Sequence, residues 1–184
     1  PERHHTCRGP VTLHAEMSGW SCEVDQQFTH VLSGFANVPI VDAMRYATTG
    51  GKRLRAFLVR ESARVCGADI HRAIHPACAI EALHAYSLVH DDLPCMDDDD
   101  LRRGQPTVHV KWDEATAVLC GDALQTLAFE LLSDPACHDD PFVRSTLVAT
   151  LARASGAAGM VYGQALDIAA ESAATPLNIA QITE

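Results

Sequence analysis

A chain of 184 residues, 47% apolar, 21% charged and only 5% aromatic, is long enough to bury one core and favours Ala/Leu-rich helices over aromatic-rich β-structure. Its net charge of −10 leaves no basic stripe to displace counterions, which argues against nucleic acid as a partner. No apolar run is read as approaching the ~18 residues of a membrane span. No signal peptide is expected, and seven cysteines, odd in number and without CxxC spacing, are expected as reduced thiols of a cytoplasmic protein.

Residues 1–16 (PERHHTCRGPVTLHAE) precede the first methionine and show no amphipathic period, so a non-native or disordered leader is expected there, with the helical domain over 17–184. Val24–Phe35 reads as a short amphipathic segment. Pro39 suits a helix's first turn, and Ile40, Val41, Met44 and Ala47 keep 3- and 4-residue spacing until Gly50-Gly51. Leu54–Cys66 follows, with Leu54, Leu58, Ser62 and Val65 on one stripe and Gly67 as the stop. Arg72–Asp92 is the longest helix. It is nearly all apolar from Pro76 to Val89 apart from Glu81, His84 and Ser87, which predicts a place in the middle of a bundle.

An acidic loop over 93–106 comes next. Asp113 predicts the start of a helix over 114–132, with Cys120, Leu124, Leu127, Ala128 and Leu131 on one face. Pro141 opens a helix to about Ser155, a Gly/Ala-rich helix spans Gly156–Glu171, and Thr175-Pro176 predicts a last one. No segment alternates as a strand does. The predicted class is all-α, a helical bundle.

Chemistry concentrates between His90 and Gly104, HDDLPCMDDDDLRRG, which carries six aspartates at Asp91, Asp92 and Asp97–Asp100. Carboxylates packed so densely repel one another and need counter-charge. Mg²⁺ supplies it by bridging one or two carboxylates to a substrate's phosphate oxygens. The neighbouring Arg102 and Arg103 suit the same kind of substrate, because a guanidinium grips phosphate with a two-pronged fork. A second cradle is GGKRLR at 50–55, where paired glycines and the cations Lys52, Arg53 and Arg55 meet a helix N-terminus that attracts anions. It lacks the spacing of a Walker loop. His84 lies seven residues before Asp91, on the same face of an ideal helix about 10 Å away. Two basic cradles and one acidic cradle point to two phosphorylated substrates, one of them metal-bound.

The motifs GGKRLR (50–55), EALHAYSLVHDDLPCMDDDDLRRG (81–104), GDALQTLAFELL (121–132) and GMVYGQALD (159–167) resemble those of the short-chain trans-isoprenyl diphosphate synthases, most of all the bacterial-type farnesyl diphosphate synthases. The resemblance runs over roughly residues 24–184. It implies a bundle around a central apolar cavity, the isoprenoid synthase fold, present here only in its N-terminal part, and a homodimer. It also implies a prenyltransferase that condenses isopentenyl diphosphate head to tail with dimethylallyl or geranyl diphosphate. By the same resemblance Asp91 and Asp97, supported by Asp92, hold Mg²⁺, and Arg102 contacts the allylic diphosphate. Lys52, Arg55, His84 and Arg103 hold isopentenyl diphosphate. Tyr86 and Ser87 set chain length, and Gln164 and Asp167 flank the allylic site. An ideal helix rotates Tyr86 about 140° from Asp91, so its role rests on resemblance alone.

Two features depart from that pattern. Ala56 follows GGKRLR where proline is common. The family's second motif, DDxxD, and a Lys-Thr pair are absent, and Asp139-Asp140 is followed by Pro141-Phe142-Val143 rather than a closing aspartate. The expectation is therefore the N-terminal part of a longer synthase, inactive alone. Alternatives are a non-catalytic partner subunit or a geranyl or geranylgeranyl diphosphate synthase. An EF-hand loop fails for want of glycine at its sixth position and glutamate at its twelfth.

Overall fold

The computed structural model describes residues 12–171 and 178–179. Eight helices follow in order: α1 (Leu13–Ser33), α2 (Pro39–Ala47), α3 (Leu54–Val65), α4 (Ile74–Asp91), α5 (Val108–Lys111), α6 (Glu114–Ser133), α7 (Pro141–Ser155) and α8 (Met160–Glu171). Between α4 and α5 lies a hairpin of two-residue strands, β1 (Leu101–Arg102) and β2 (Gln105–Pro106). The described chain is all-α apart from that hairpin.

Helix α1 begins well before the expected Val24. The Thr12 side chain accepts from the Ala15 amide at 3.3 Å and caps it. Trp20, Val24, Phe28 and Leu32, four residues apart, then bury one stripe against the bundle. Pro39 opens α2 as its spacing predicts, and the Asp113 carboxylate accepts from the Thr116 amide at 2.6 Å to start α6. Asp140 does the same for α7, accepting from Phe142 at 2.8 Å beside Pro141. Helix α8 starts at Met160 rather than Gly156, because residues 156–159 form a tight turn closed by the Gly159 amide on the Gly156 carbonyl at 2.9 Å. The helix expected from Thr175-Pro176 and most of the 1–16 leader lie outside the described residues.

Helices α4 and α6 form the most extensive interface in the molecule. Helix α4 is buried nearly all round through Ala77, Cys78, Ala79, Glu81, Ala82, Leu83, Ala85 and Val89. The predicted stripe of α6 is its buried face. Burial pushes the thiols of Cys78 and Cys120 up to about 12, which leaves them inert at neutral pH. The two helices approach closely at Gly121, where a Cβ would fall 2.0 Å from the His90 Nε2. That nitrogen sits 3.0 Å from the Val118 carbonyl. His90 thus lies over the glycine.

Two expectations need correction. Helix α6 is, by length and mean hydropathy, apolar enough to cross a membrane, although its apolar stripe here packs inside the bundle. In α3 the residues turned inward are Ala56 and Phe57, whereas Leu54, Leu58 and Val65 are exposed. The cause is a set of contacts from α1 and α4. The Trp20 indole N–H donates to the Ala56 carbonyl at 2.9 Å, and Glu81 accepts from the Ala56 amide at 3.0 Å. Together they turn the Ala56 face inward.

Candidate functional site

The acidic motif is shaped by how α4 ends. After Asp91 and Asp92 the chain folds back. The Met96 amide donates to Leu93 O at 2.8 Å and the Asp98 amide to the same oxygen at 3.2 Å, with Asp98 in the left-handed region at φ 54°. The Asp97 amide donates to the Asp91 carbonyl at 2.8 Å, which sets the two ends of the motif against each other. Burial pushes the Asp91 carboxyl above the usual range. The negative charge of Asp97 raises it further, while Arg102 opposes both. Neither Asp91 nor Asp97 makes an ion pair with a described residue.

Asp92, expected in support of the metal ligands, is engaged within the chain. It is buried and accepts from Arg102, whose Nε lies 2.8 Å from Oδ1 and whose Nη2 bonds the same oxygen. Arg102 reaches Asp99 as well, at 3.2 Å. The hairpin explains this aim. Arg102 pairs with Gln105 in the strand register, and Arg103 and Gly104 form the turn with φ of 55° and 76°. Arg102, on the strand, reaches the acidic motif, and Arg103, in the left-handed turn, lies over Gly51.

That glycine turn is tight for two reasons. Gly50 and Gly51 adopt φ of 74° and 93°, open to glycine and strained for L side chains. The Arg103 guanidinium also lies directly over Gly51, where a Cβ would meet Nη1 at 2.7 Å. Lys52 and Arg55 are exposed, and with Arg103 they make no ion pair with a described residue. His84 is half-buried nearby. Burial holds its pKa below the ordinary imidazole value, and the charges of Arg55, Arg103 and Arg102 press it down further while Glu81 opposes them. Neutral His84 offers one N–H donor among cations that have no carboxylate of their own.

Arg53 leaves this group. The run Lys52-Arg53-Arg55 reads as three cations for one anion, yet Arg53 is buried and paired with Asp25 and Glu81. The α3 N-terminus is not fully open to an anion either, since Glu81 already takes the Ala56 amide. The signal for this was Glu81 itself, a lone carboxylate in an apolar helix, which has to find a buried cation.

Two cavities adjoin the site. One of about 430 Å³ is lined by Gly50, Gly51, Leu88, Asp92, Arg102 and Arg103. The other, about 970 Å³ and mostly apolar, runs between α3, α4 and α7 past Leu58, Ile80, Leu147 and Leu151, with Arg55 at its edge.

Hard carboxylate oxygens fit a divalent cation. Among the described residues no three His, Cys, Asp or Glu side chains converge as a complete metal cage. Two neighbouring acids, Asp91 and Asp97, tied by the Asp97 amide on the Asp91 carbonyl, suit a metal whose remaining ligands are phosphate oxygens.

A family model described as polyprenyl synthetase matches residues 38–183. The farnesyl diphosphate synthase of Escherichia coli (strain K12) is 55% identical over 149 residues, which cover 78% of this chain and 49% of that protein. The chloroplastic heterodimeric geranylgeranyl pyrophosphate synthase large subunit 1 of Arabidopsis thaliana is 47% identical over 135 residues, 72% of this chain and 36% of its own. A crystal structure of an FPP/GFPP synthase from Zymomonas mobilis superimposes with a TM-score of 0.87 at 49% identity, covering 91% of this chain and 61% of that one. This chain belongs to the polyprenyl synthetase family. Its helices carry the isoprenoid synthase fold, and it spans about half the length of the Escherichia coli relative.

Other residues that the resemblance to this family singled out lie further from the acids. Tyr86 packs its ring edge-on to His90, with centroids 5.0 Å apart, and lines neither cavity. The Ser87 hydroxyl donates to the His84 carbonyl at 3.0 Å. Gln164 and Asp167 stand on α8, Asp167 exposed, and neither hydrogen-bonds the acidic motif. Asp139 and Asp140 are occupied elsewhere: Asp139 pairs with Arg72 at 2.9 Å and Asp140 caps α7.

Proposed function

We propose that this polyprenyl synthetase chain carries the substrate-binding half of a cytoplasmic, homodimeric farnesyl diphosphate synthase. The reaction joins isopentenyl diphosphate head to tail with dimethylallyl or geranyl diphosphate. One observation carries the reading. Cations without acidic ion-pair partners (Arg55 and Arg103) lie near neutral His84, with the exposed Lys52 close to Arg55 in sequence, while acids without basic ion-pair partners (Asp91 at the end of α4 and Asp97 in the loop after it) meet at the C-terminal end of that helix. Unpaired opposite charges kept apart in this way suit two different ligands.

Asp91 and Asp97 would hold Mg²⁺, which supplies positive charge to the allylic diphosphate as it leaves. Arg102, already aligned by Asp92 and Asp99, adds a fork to the same diphosphate. The allylic C–O bond breaks with its electron pair leaving on the diphosphate. The isopentenyl double bond then attacks the allylic carbon, and the new cation loses a proton to the released diphosphate. Lys52, Arg55, Arg103 and the His84 N–H hold isopentenyl diphosphate in line for that attack.

The test joins this chain to the C-terminal half of the Escherichia coli relative and supplies geranyl diphosphate, labelled isopentenyl diphosphate and Mg²⁺. Chromatography is expected to give a fifteen-carbon product. The Tyr86→Ala chimaera is expected to shift product to twenty carbons or more, because it removes an aromatic ring beside His90. No incorporation sinks the function, and unchanged length with Tyr86→Ala removes its chain-length role.

A further inference from the structure

Within GGKRLR the middle cation faces the interior. Arg53 sits in the left-handed region at φ 49°, which reverses the chain between Lys52 and Arg55 and leaves its side chain 5% exposed. Its guanidinium donates to Asp25 of α1 through Nε at 3.1 Å and Nη2 at 2.6 Å, and to Glu81 of α4 through Nη1 at 3.4 Å. It also bonds the Thr48 carbonyl just past α2 and lies 5.4 Å from the Phe28 ring centre. The other oxygen of Glu81 takes the Ala56 amide in the first turn of α3. Four helices therefore meet at Arg53, next to Lys52 and two residues from Arg55, and Glu81 stands one helical turn from His84.

Stability alone explains this poorly. A buried ion pair gains little over apolar residues of the same size, because desolvation offsets the attraction. A non-glycine residue in left-handed backbone adds strain, and such strain is kept where geometry matters. We propose that Arg53, Glu81 and Asp25 are positioning residues: they touch no substrate but lock the turn that aims Lys52, Arg55 and His84 at one diphosphate. This rests on reading those three as the isopentenyl diphosphate site.

Calorimetric titration of the 184-residue chain tests it, with isopentenyl diphosphate in one series and geranyl diphosphate plus Mg²⁺ in another. Glu81→Gln keeps an acceptor for the Ala56 amide while removing the charge that anchors Arg53. It is expected to weaken isopentenyl diphosphate about tenfold by misaiming the cations. Geranyl diphosphate with Mg²⁺ is expected to change by less than about twofold, since its ligands lie outside the network. Asp25→Asn, at a half-exposed partner, should give the same selective loss if Glu81→Gln does not fold. Wild-type affinity in a folded variant, equal weakening of both ligands, or loss of the fold in both variants overturns the proposal. Lys52→Ala and Arg55→Ala run in parallel. If neither weakens isopentenyl diphosphate, the reading of the cradle fails; if they weaken it and Glu81→Gln does not, only the positioning role fails.

Discussion

Alanine at both Asp91 and Asp97 is expected to abolish Mg²⁺-dependent retention of an allylic diphosphate and to slow the chimaeric synthase by about 10³-fold. These two acids are neighbours and neither is ion-paired with a described residue, so together they provide the negative potential a divalent cation needs. Asp92 already accepts from Arg102. The same geometry carries an opposite expectation for the metal-free fold. The Asp91 pKa is raised, so the folded chain binds that proton more tightly than the unfolded chain does. Stability then falls as pH rises from the ordinary carboxyl range through the raised value, and the full penalty applies at neutral pH. Asp91→Asn should accordingly raise the melting temperature at pH 7 without metal, and the gain should vanish at acid pH. Retained Mg²⁺ dependence in the double variant, or a metal-free Asp91→Asn protein less stable than its parent, would contradict this account of the site.

The second large effect is expected at Gly121. Glycine inside a helix costs about 1 kcal/mol relative to alanine, so Gly121→Ala should stabilise α6 if nothing else intervened. A Cβ there would instead lie 2.0 Å from the His90 ring, against a nitrogen held near the Val118 carbonyl. Overpacking a core of this kind costs about 1–3 kcal/mol, which exceeds the propensity gain. Gly121→Ala should therefore lower stability in denaturant unfolding and displace Tyr86, which leans on His90. In a His90→Ala background the clash disappears and the same substitution should stabilise by about 1 kcal/mol. The same sign in both backgrounds would show that the α4–α6 crossing is not limited by this contact.

Much of the fold could be read from single residues. Pro39, Asp113 and Pro141 marked helix starts, and the apolar face of α6 was correct residue by residue. The misses share a physical cause, in that periodicity reports which residues are apolar but not which contacts decide orientation. The exposed first turns of α1 carry no apolar stripe, so Thr12 was overlooked as its cap. Strands of two residues are too short to alternate, and the hairpin depends on Arg103 taking φ 55° beside Gly104. Three cations in GGKRLR look alike in sequence. Only the left-handed backbone at Arg53, with Asp25 and Glu81 reaching in from α1 and α4, turns the middle one inward.

The central claim is that Asp91 and Asp97 bind metal and allylic diphosphate as one unit. Calorimetric titration with geranyl diphosphate, with and without Mg²⁺, and with Mg²⁺ in the reverse order, measures it on this chain and on the chimaera. Linkage requires each ligand to tighten the other by the same factor, and the account predicts that factor to be about tenfold or more. Independent binding of the two ligands in both proteins would contradict it.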